Sequence, residues 1–570
     1  MGSLIPETAR KVFTSETLRS AAKQSERLHI VPLRLRRAIK KYLREQENPH
    51  MKRNVLSLSQ SFANIKSDNE TLNASTSRAL VEDPLRSQNQ LGKRWKIKTS
   101  YGDSGLKYRD VETLAYVASR MPAVYSACHR IFREVRRRLP GFEPTTVLDF
   151  GSGTGSALWA LREMWPHSLE KINLVEPSKA MQRAAQSLIS GMKGLPLIKS
   201  YDSIQALNQN IDKSEREHDL VIASYVLGEI PSLQDRITVV RQLWDLTRDV
   251  LVLVEPGTPQ GFDIISQMRS HILWLEKRRC RKSNDASSDA LEDLRSSKKG
   301  AFVVAPCGHD GACPLENTGT FCHFVQRMQR TSSQRLYKRS NGKPLRGYED
   351  EKFCFVVLRR GQRSRQVSLL QKNLFFFAVA ILNVQWPLDD TKFETLKELS
   401  AKIPEEFESD SDDRFDFGED EEMSNEEDPV SCNSDVPEDA ADKDDEENLV
   451  PYNSDASEDA VDSEDAVDKY EDEEVEECPA DLGTGWGRII FAPMKRGKQV
   501  MMHVCRSVKQ DGSEGALERV IVTRSKNPAL HRLAKKSFWG DLWPLKWEDK
   551  QTALSQQNRA AKSKSLVPPL

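Results

Sequence analysis

The chain has 570 residues, 38% hydrophobic and 30% charged, with nine cysteines and a formal net charge of −1. That length leaves room for two or three domains with sizeable cores, and nine cysteines in a chain this long exclude a disulfide-dense secreted scaffold. The near-neutral total hides an asymmetry: residues 404–477 hold 35 Asp and Glu against Arg414, Lys443 and Lys469, so the remainder carries +31. A body that basic suits a phosphate backbone, where Lys and Arg displace condensed counterions. The longest apolar run, Leu374–Leu382, falls short of the ~20 residues needed to cross a bilayer, so no membrane partner is expected.

Residues 1–105 form a basic N-terminal region, expected to be partly disordered, with a possible targeting segment. Within it, Val31–Leu43 predicts a basic amphipathic helix starting at Pro32. Residues 106–275 predict helices followed by a doubly wound α/β domain. Apolar residues at three-to-four spacing place helix over Tyr108–Arg138, split near Pro122. Thr146–Phe150, Lys171–Glu176, His218–Ser224 and Val250–Glu255 then read as strands alternating with helices, the pattern of a parallel sheet. Residues 276–403 carry a cysteine loop and strands that complete the sheet, with Cys354 in the strand Glu351–Arg359. The apolar stretch 366–385 lacks turn signals at its edges and reads as an insert of translated intron sequence, with a buried helix as the plainer alternative. Residues 404–478 form an acidic tract with an internal repeat, Asn433–Asp442 recurring as Asn453–Asp462. Like-charge repulsion predicts that it is unfolded, and it is positioned to compete with RNA for the basic body. Residues 479–545 predict a small β unit, and 546–570 a frayed tail.

Two constellations carry chemistry. The first is Val147-Leu-Asp-Phe-Gly-Ser-Gly-Thr-Gly155 at a strand-to-helix turn. Its glycines let the backbone approach a ligand, and the helix that follows presents free N–H groups. Glu176 ends the next strand, where a carboxylate can accept hydrogen bonds from ribose hydroxyls. With Asp149 leading the turn, Asp149, Gly151, Gly153, Gly155 and Glu176 are the candidate cofactor-binding residues. S-adenosylmethionine is favoured over NAD and over a retained fold with an empty site. After the strand ending at Ser224 comes Tyr225-Val-Leu-Gly-Glu-Ile-Pro231, without the Asn/Asp-Pro-Pro-aromatic cluster that holds a target amine in nucleic-acid amino-methyltransferases. No catalytic base is evident, so whether the chain is an enzyme stays open.

The second constellation is Pro306–Phe324, with Cys307, Cys313 and Cys322. Three thiolates brought together repel without a cation between them. Zinc sites favour paired Cys-x2-Cys spacing, which is absent, while open spacing suits an iron–sulfur cluster; both readings remain. The candidates for a fourth ligand are Cys354, His309, His323 and Cys505, the last in a strand of the C-terminal unit.

Together these segments resemble the methyltransferase-like protein 17 family of mitochondrial small-ribosomal-subunit assembly factors. The resemblance runs through Tyr116–Tyr125, Val147–Gly155, Leu253–Gly261, Pro306–Arg327, Lys352–Arg360, His503–Cys505 and Phe538–Leu542, over roughly residues 108–545. It implies a class I methyltransferase-like fold that binds S-adenosylmethionine with little or no methyl transfer. It also implies a [4Fe–4S] cluster on Cys307, Cys313, Cys322 and Cys505, and the mitochondrial matrix as location. The implied partners are immature small-subunit rRNA and the ribosomal proteins of the assembling mitoribosome; the oligomeric state is undefined. The other two readings are an active S-adenosylmethionine-dependent rRNA methyltransferase and a zinc-stabilised RNA-binding module.

Overall fold

The computed structural model describes residues 15–24, 26, 28–46, 48–65, 107–284, 300–316, 318–338, 346–363, 486–509, 511–526 and 528–543. The chain divides into two compact units, and all described residues fall in the first, 1–381 with 477–570. The apolar insert 366–385, the acidic tract 404–478 and the tail 546–570 lie outside the described residues.

The central sheet has eight strands. β1 (Thr146–Phe150), β2 (Lys171–Val175), β3 (Leu197–Tyr201), β4 (His218–Ser224) and β5 (Thr247–Pro256) are joined in the parallel order β3-β2-β1-β4-β5. β6 (Ala301–Ala305), β7 (Phe324–Gln329) and β8 (Tyr348–Arg360) extend it, with β8 antiparallel to β5 and to both β6 and β7. Strand order therefore reverses between β1 and β4, the place where doubly wound sheets bind ligands. This is the class I methyltransferase-like α/β architecture, with a mixed rather than wholly parallel sheet.

Alternation along the strands explains the two-sided core. Val147, Leu220, Ile222, Val250 and Val252 face a cluster with the helices Met121–Arg138 and Ser156–Met164. Their neighbours Leu148, Val221, Leu251 and Leu253 face a second cluster with the helices Leu233–Asp245 and Pro259–Asn284. The helix break predicted near Pro122 falls at Arg120, between Asp110–Ser119 and Met121–Arg138, with Pro122 in the first turn of the second helix. The helix Pro259–Asn284 runs past residue 275, the expected end of the α/β domain, and Ile264, Ile265, Met268 and Ile272 supply its buried face.

The basic helix predicted over Val31–Leu43 is present as Leu33–Glu45. Helices span Ser15–Ala22, Leu33–Glu45 and residues 51–65. Leu35 and Ile39 are buried under the second, while Arg34, Arg36, Arg37, Lys40, Lys41 and Arg44 are exposed.

The C-terminal unit is a five-stranded antiparallel sheet. Its strands are β9 (Gly487–Ile489), β10 (Met494–Arg496), β11 (Gln499–Ser507), β12 (Gly515–Thr523) and β13 (Leu542–Trp543). β11 is two-faced: Val500, Met502 and Val504 enter the small core of this sheet, whereas Cys505 enters the second core of the central domain.

Arg488 on β9 locks the two sheets together. Its guanidinium donates to both carboxylate oxygens of Glu134 on the helix Met121–Arg138, to Pro306 O at 3.1 Å and to Gly540 O at 2.7 Å. The two side chains are 1% and 3% exposed. Burial alone would raise the Glu134 carboxyl, but Arg488, with Arg138 and Arg130, holds it below the ordinary carboxylate range. Removing one partner of such a pair leaves a buried charge uncompensated. Arg488→Leu and Glu134→Leu should each lower unfolding free energy by about 3–5 kcal/mol, and the double variant should recover most of that loss. Urea titration of the four proteins measures it; fully additive losses would contradict the pairing.

Candidate metal centre and cofactor cleft

The loop from Pro306 to His323 leaves β6, runs under the C-terminal sheet and enters β7. It carries little regular structure, so its course is set by tethers. Arg269, buried on the helix Pro259–Asn284, donates to His309 O at 3.0 Å and Gly311 O at 2.8 Å. Asp310 N donates to Gly512 O at 2.7 Å, while its carboxylate accepts from Val303 N at 2.8 Å and from Arg363. The fit against the β11–β12 turn is close: a Cβ on Gly311 would sit 2.6 Å from Ser513 O, and one on Gly515 would strike the His309 ring at 2.2 Å.

These tethers bring four distant cysteines to one cavity. Cys307, Cys313, Cys322 and Cys505 line one pocket, with Phe262, Leu315 and Ile490 among its apolar walls. Burial, then the neighbouring Cys307, pushes the Cys313 thiol up to about 11. Burial and the other cysteines push Cys322 and Cys505 well above the ordinary thiol range. Sulfurs this crowded in a low-dielectric wall cannot ionise together unless a cation is among them. The donor set therefore fits a thiolate-bound metal centre.

The other candidates for fourth ligand are placed differently. Cys354 on β8 also reaches this pocket, but its thiol donates to Cys322 O at 3.2 Å. His323 packs between Phe321 and Trp539, at ring separations of 4.6 and 4.4 Å. His309 lies 3.4 Å through Nε2 from Cys505 Sγ, fully buried. Burial and Arg269 depress its imidazole to about 4, so it is neutral and able to donate one hydrogen bond to that sulfur. Arg269 and Arg488 are the supports that reading the sequence missed, and His309, a candidate ligand there, is placed as a hydrogen-bond neighbour of Cys505. The available signal was a lone cation inside an apolar helix, Ile264–Leu273, and another inside an apolar strand, Trp486–Phe491.

At the sheet's switch point, β1 ends and the chain turns through Gly151, Gly153 and Gly155, with φ of +70°, +51° and +83°. Only glycine adopts three such values without strain. Glu176, just past β2, accepts from Gly153 N at 2.9 Å and Ser178 N at 2.8 Å. Asp149 is fully buried and both of its carboxylate oxygens lack a hydrogen-bond partner. Glu229 accepts from Tyr108 Oη at 2.6 Å, and Glu255 from Leu227 N at 2.8 Å. Burial raises Asp149, Glu176 and Glu255 to about 7 and Glu229 to about 8. Buried acids with two unpaired oxygens among them fit a cationic ligand such as S-adenosylmethionine. The space beyond Gly153 is also open, with no heavy atom nearer its added Cβ than Gly151 O at 4.0 Å.

The segment after β4, where a target amine is gripped in amino-methyltransferases, is committed elsewhere. Tyr225 adopts φ +57° and donates to Glu351 at 2.9 Å. Arg120 clamps the same carboxylate at 2.9 and 3.0 Å and lies 5.7 Å from the Tyr225 ring.

The family model described as mitochondrial small ribosomal subunit Rsm22 matches residues 110–374 and 441–544. The chain belongs to the Rsm22 family. It is similar to the human mitochondrial ribosome assembly protein METTL17, at 33% identity over 291 residues, covering 50% of this chain and 58% of that one. It is also similar to the Rsm22-cox11 tandem protein 2, mitochondrial, of Schizosaccharomyces pombe, at 23% identity over 459 residues, 79% of this chain and 45% of that one. This Rsm22-family chain thus spans about half the length of the relatives it matches. Solved structures with some likeness include a putative RNA methyltransferase of Pyrococcus horikoshii, at 14% identity and TM-score 0.22, covering 41% of this chain and 83% of that one. Another is magnesium protoporphyrin IX methyltransferase of Synechocystis, at 12% identity and TM-score 0.23, covering 52% of this chain and all of that one. Scores this low carry no argument, and the fold of this Rsm22-family chain rests on its strand order.

The raised carboxyls make stability fall with pH. Glu229 is neutral in the folded state up to about 8 but ionises near ~4.3 when unfolded. Its contribution is complete below the lower value and is lost as pH rises through the higher one. Between about pH 5 and about pH 8, Glu229→Gln should lose less stability than the parent chain, by about 1 kcal/mol per pH unit. Urea midpoints across that range measure it, and parallel slopes would contradict the assignment.

Proposed function

We propose that this chain is a mitochondrial assembly factor of the small ribosomal subunit, one that holds immature rRNA on a basic surface and transfers few or no methyl groups. The observation that carries the reading is the convergence of Cys307, Cys313 and Cys322 from the central loop with Cys505 from the C-terminal sheet, in both matched segments of the family model. A centre there joins two parts of the fold and lies outside the cofactor cleft.

The four cysteines would hold a [4Fe–4S] cluster. Tetrahedral zinc, with Zn–S bonds of about 2.3 Å, would draw its sulfurs to within about 4 Å of one another. Among the described residues, the trio of ligand atoms mutually within 4.8 Å is elsewhere, at Glu26, His29 and His129. The wider cysteine arrangement suits thiolates that each bind a different iron. Arg269 and Arg488 offset the thiolates' charge, and His309 orients Cys505.

Asp149, Glu176 and the glycine turn would hold S-adenosylmethionine, which supplies an electrophilic methyl group when bound. Gly153 leaves room at the backbone, Asp149 offers two free acceptor oxygens, and Glu176 keeps lone pairs beyond the two N–H groups it accepts. The commitment of Tyr225 to Glu351 favours binding without turnover, since it removes from the pocket a hydroxyl that could orient an acceptor.

The helix Leu33–Glu45 supplies a basic face: Arg36, Arg37, Lys40 and Lys41 project outward while Leu35 and Ile39 anchor it. Each phosphate contact on single-stranded RNA steepens the salt dependence of binding by about 0.7. Replacing all four by Gln should reduce that slope by about 3 and weaken binding to small-subunit rRNA without unfolding the chain. Salt-titrated binding, with crosslinked RNA sequenced from mitochondria, tests this. An unchanged slope would remove this face from the interface, and no enrichment of small-subunit rRNA would overturn the function. Loss of a mapped rRNA methyl mark on depletion, not restored by Gly153→Arg, would instead favour the methyltransferase reading.

A further inference from the structure

A second cluster of ligand-type side chains lies where the N-terminal segment meets the core. Glu26 and His29 come from that segment, His129 from the helix Met121–Arg138, and one ligand atom from each lies within 4.8 Å of the others. Glu163, on the helix Ser156–Met164, places Oε1 3.5 Å from His129 Nε2. We propose that Glu26, His29, His129 and Glu163 bind one divalent transition-metal ion, zinc by their chemistry, which fastens the N-terminal segment to the methyltransferase-like core.

The cluster is built rather than incidental. His29 and His129 are 5% and 6% exposed, with ring centroids 4.4 Å apart and tilted by 37°. His29 Nδ1 lies 2.8 Å from Glu26 Oε2, while His29 Nε2 is buried without a hydrogen-bond partner. A divalent ion would take the place of the proton shared by His29 Nδ1 and Glu26 Oε2. Two imidazoles and two carboxylates match the harder donors that zinc accepts, and four ligands close a structural site. Two carboxylates against one dication also leave the site neutral, with the two imidazoles buried and Glu26 and Glu163 33% and 40% exposed.

The surroundings support the same role. Tyr125 Oη donates to the other oxygen of Glu163, one helical turn from His129, and so fixes the carboxylate's orientation. Arg133 Nη1 lies 3.5 Å from Glu26 Oε1, which leaves the second oxygen facing His29. The segment is held in register by an edge pairing: His29 N donates to Arg327 O at 2.8 Å and Gln329 N to His29 O at 2.9 Å. Just upstream, Arg137 donates to Ser20 O at 2.6 Å, and Gln24 N donates to Asp541 at 2.9 Å. A metal at this point would hold the base of the basic helix that begins at Leu33.

The test is titration of the purified full chain with Co²⁺, followed by displacement with Zn²⁺. The expected result is one equivalent of cobalt showing visible d–d bands without a thiolate charge-transfer band. That uptake should persist in Cys505→Ser and disappear in His29→Gln and His129→Gln. Because His129 is in the core, Glu26→Gln provides a second variant on the peripheral segment, checked for an unchanged circular dichroism spectrum. A chelator should also speed proteolysis before residue 33 in the parent chain but not in His29→Gln. Cobalt uptake that survives in His29→Gln and Glu26→Gln, or absence of any uptake outside the cysteines, would overturn the proposal.

Discussion

The buried guanidinium of Arg488 is the contact on which the rest depends. It satisfies Glu134 on a core helix, the carbonyl that opens the cysteine loop and the carbonyl of Gly540 at once. Across the ladder its register partner is Cys505. The same interaction that docks the C-terminal sheet therefore sets the depth at which Cys505 enters the cavity. β11 completes the arrangement through its two faces, Val504 feeding its own small core and Cys505 the main one. A metal centre bridging that joint would make docking of the C-terminal sheet depend on loading, because ligand bonds form only in the folded arrangement.

The two chemical features of the molecule serve different ends of the sheet's logic. The candidate cofactor cleft sits at the switch between β1 and β4, with acids whose values burial raises to about 7. The cysteine cavity sits against β8 and the helix Pro259–Asn284, next to strands that extend the sheet past β5. Nothing about the second needs the first to turn over. Under the proposed function, a chain that reports its cofactor status by holding or losing shape would need only a stable cleft and a fastened joint.

Much of this was legible in the sequence, for physical reasons. The short apolar runs that form β1, β2, β4 and β5 and the glycine turn at 151–155 are local signals, and each reproduces in place. The three loop cysteines mark themselves by crowding. Cys505 did not: spacing left it beside Cys354, His309 and His323, and the resemblance to a family carried the choice. The supports were harder still. Arg269 and Arg488 look like isolated charges until their carbonyl partners, tens to hundreds of residues away, are brought to them. Glu26, His29 and His129 are invisible as a set, because one lies on a helix a hundred residues from the other two. The basic helix at Leu33–Glu45 was legible too, because Leu35 and Ile39 fall four residues apart among its charges and are the side chains it buries.

The most direct measurement is iron and acid-labile sulfide in anaerobically purified protein, taken for the parent chain beside Cys505→Ser and Cys354→Ser. The account predicts about four irons and four sulfides per parent chain, with a broad visible charge-transfer absorption. It predicts loss of both in Cys505→Ser and retention in Cys354→Ser. A colourless zinc-loaded parent, or full cluster content in Cys505→Ser, would contradict it.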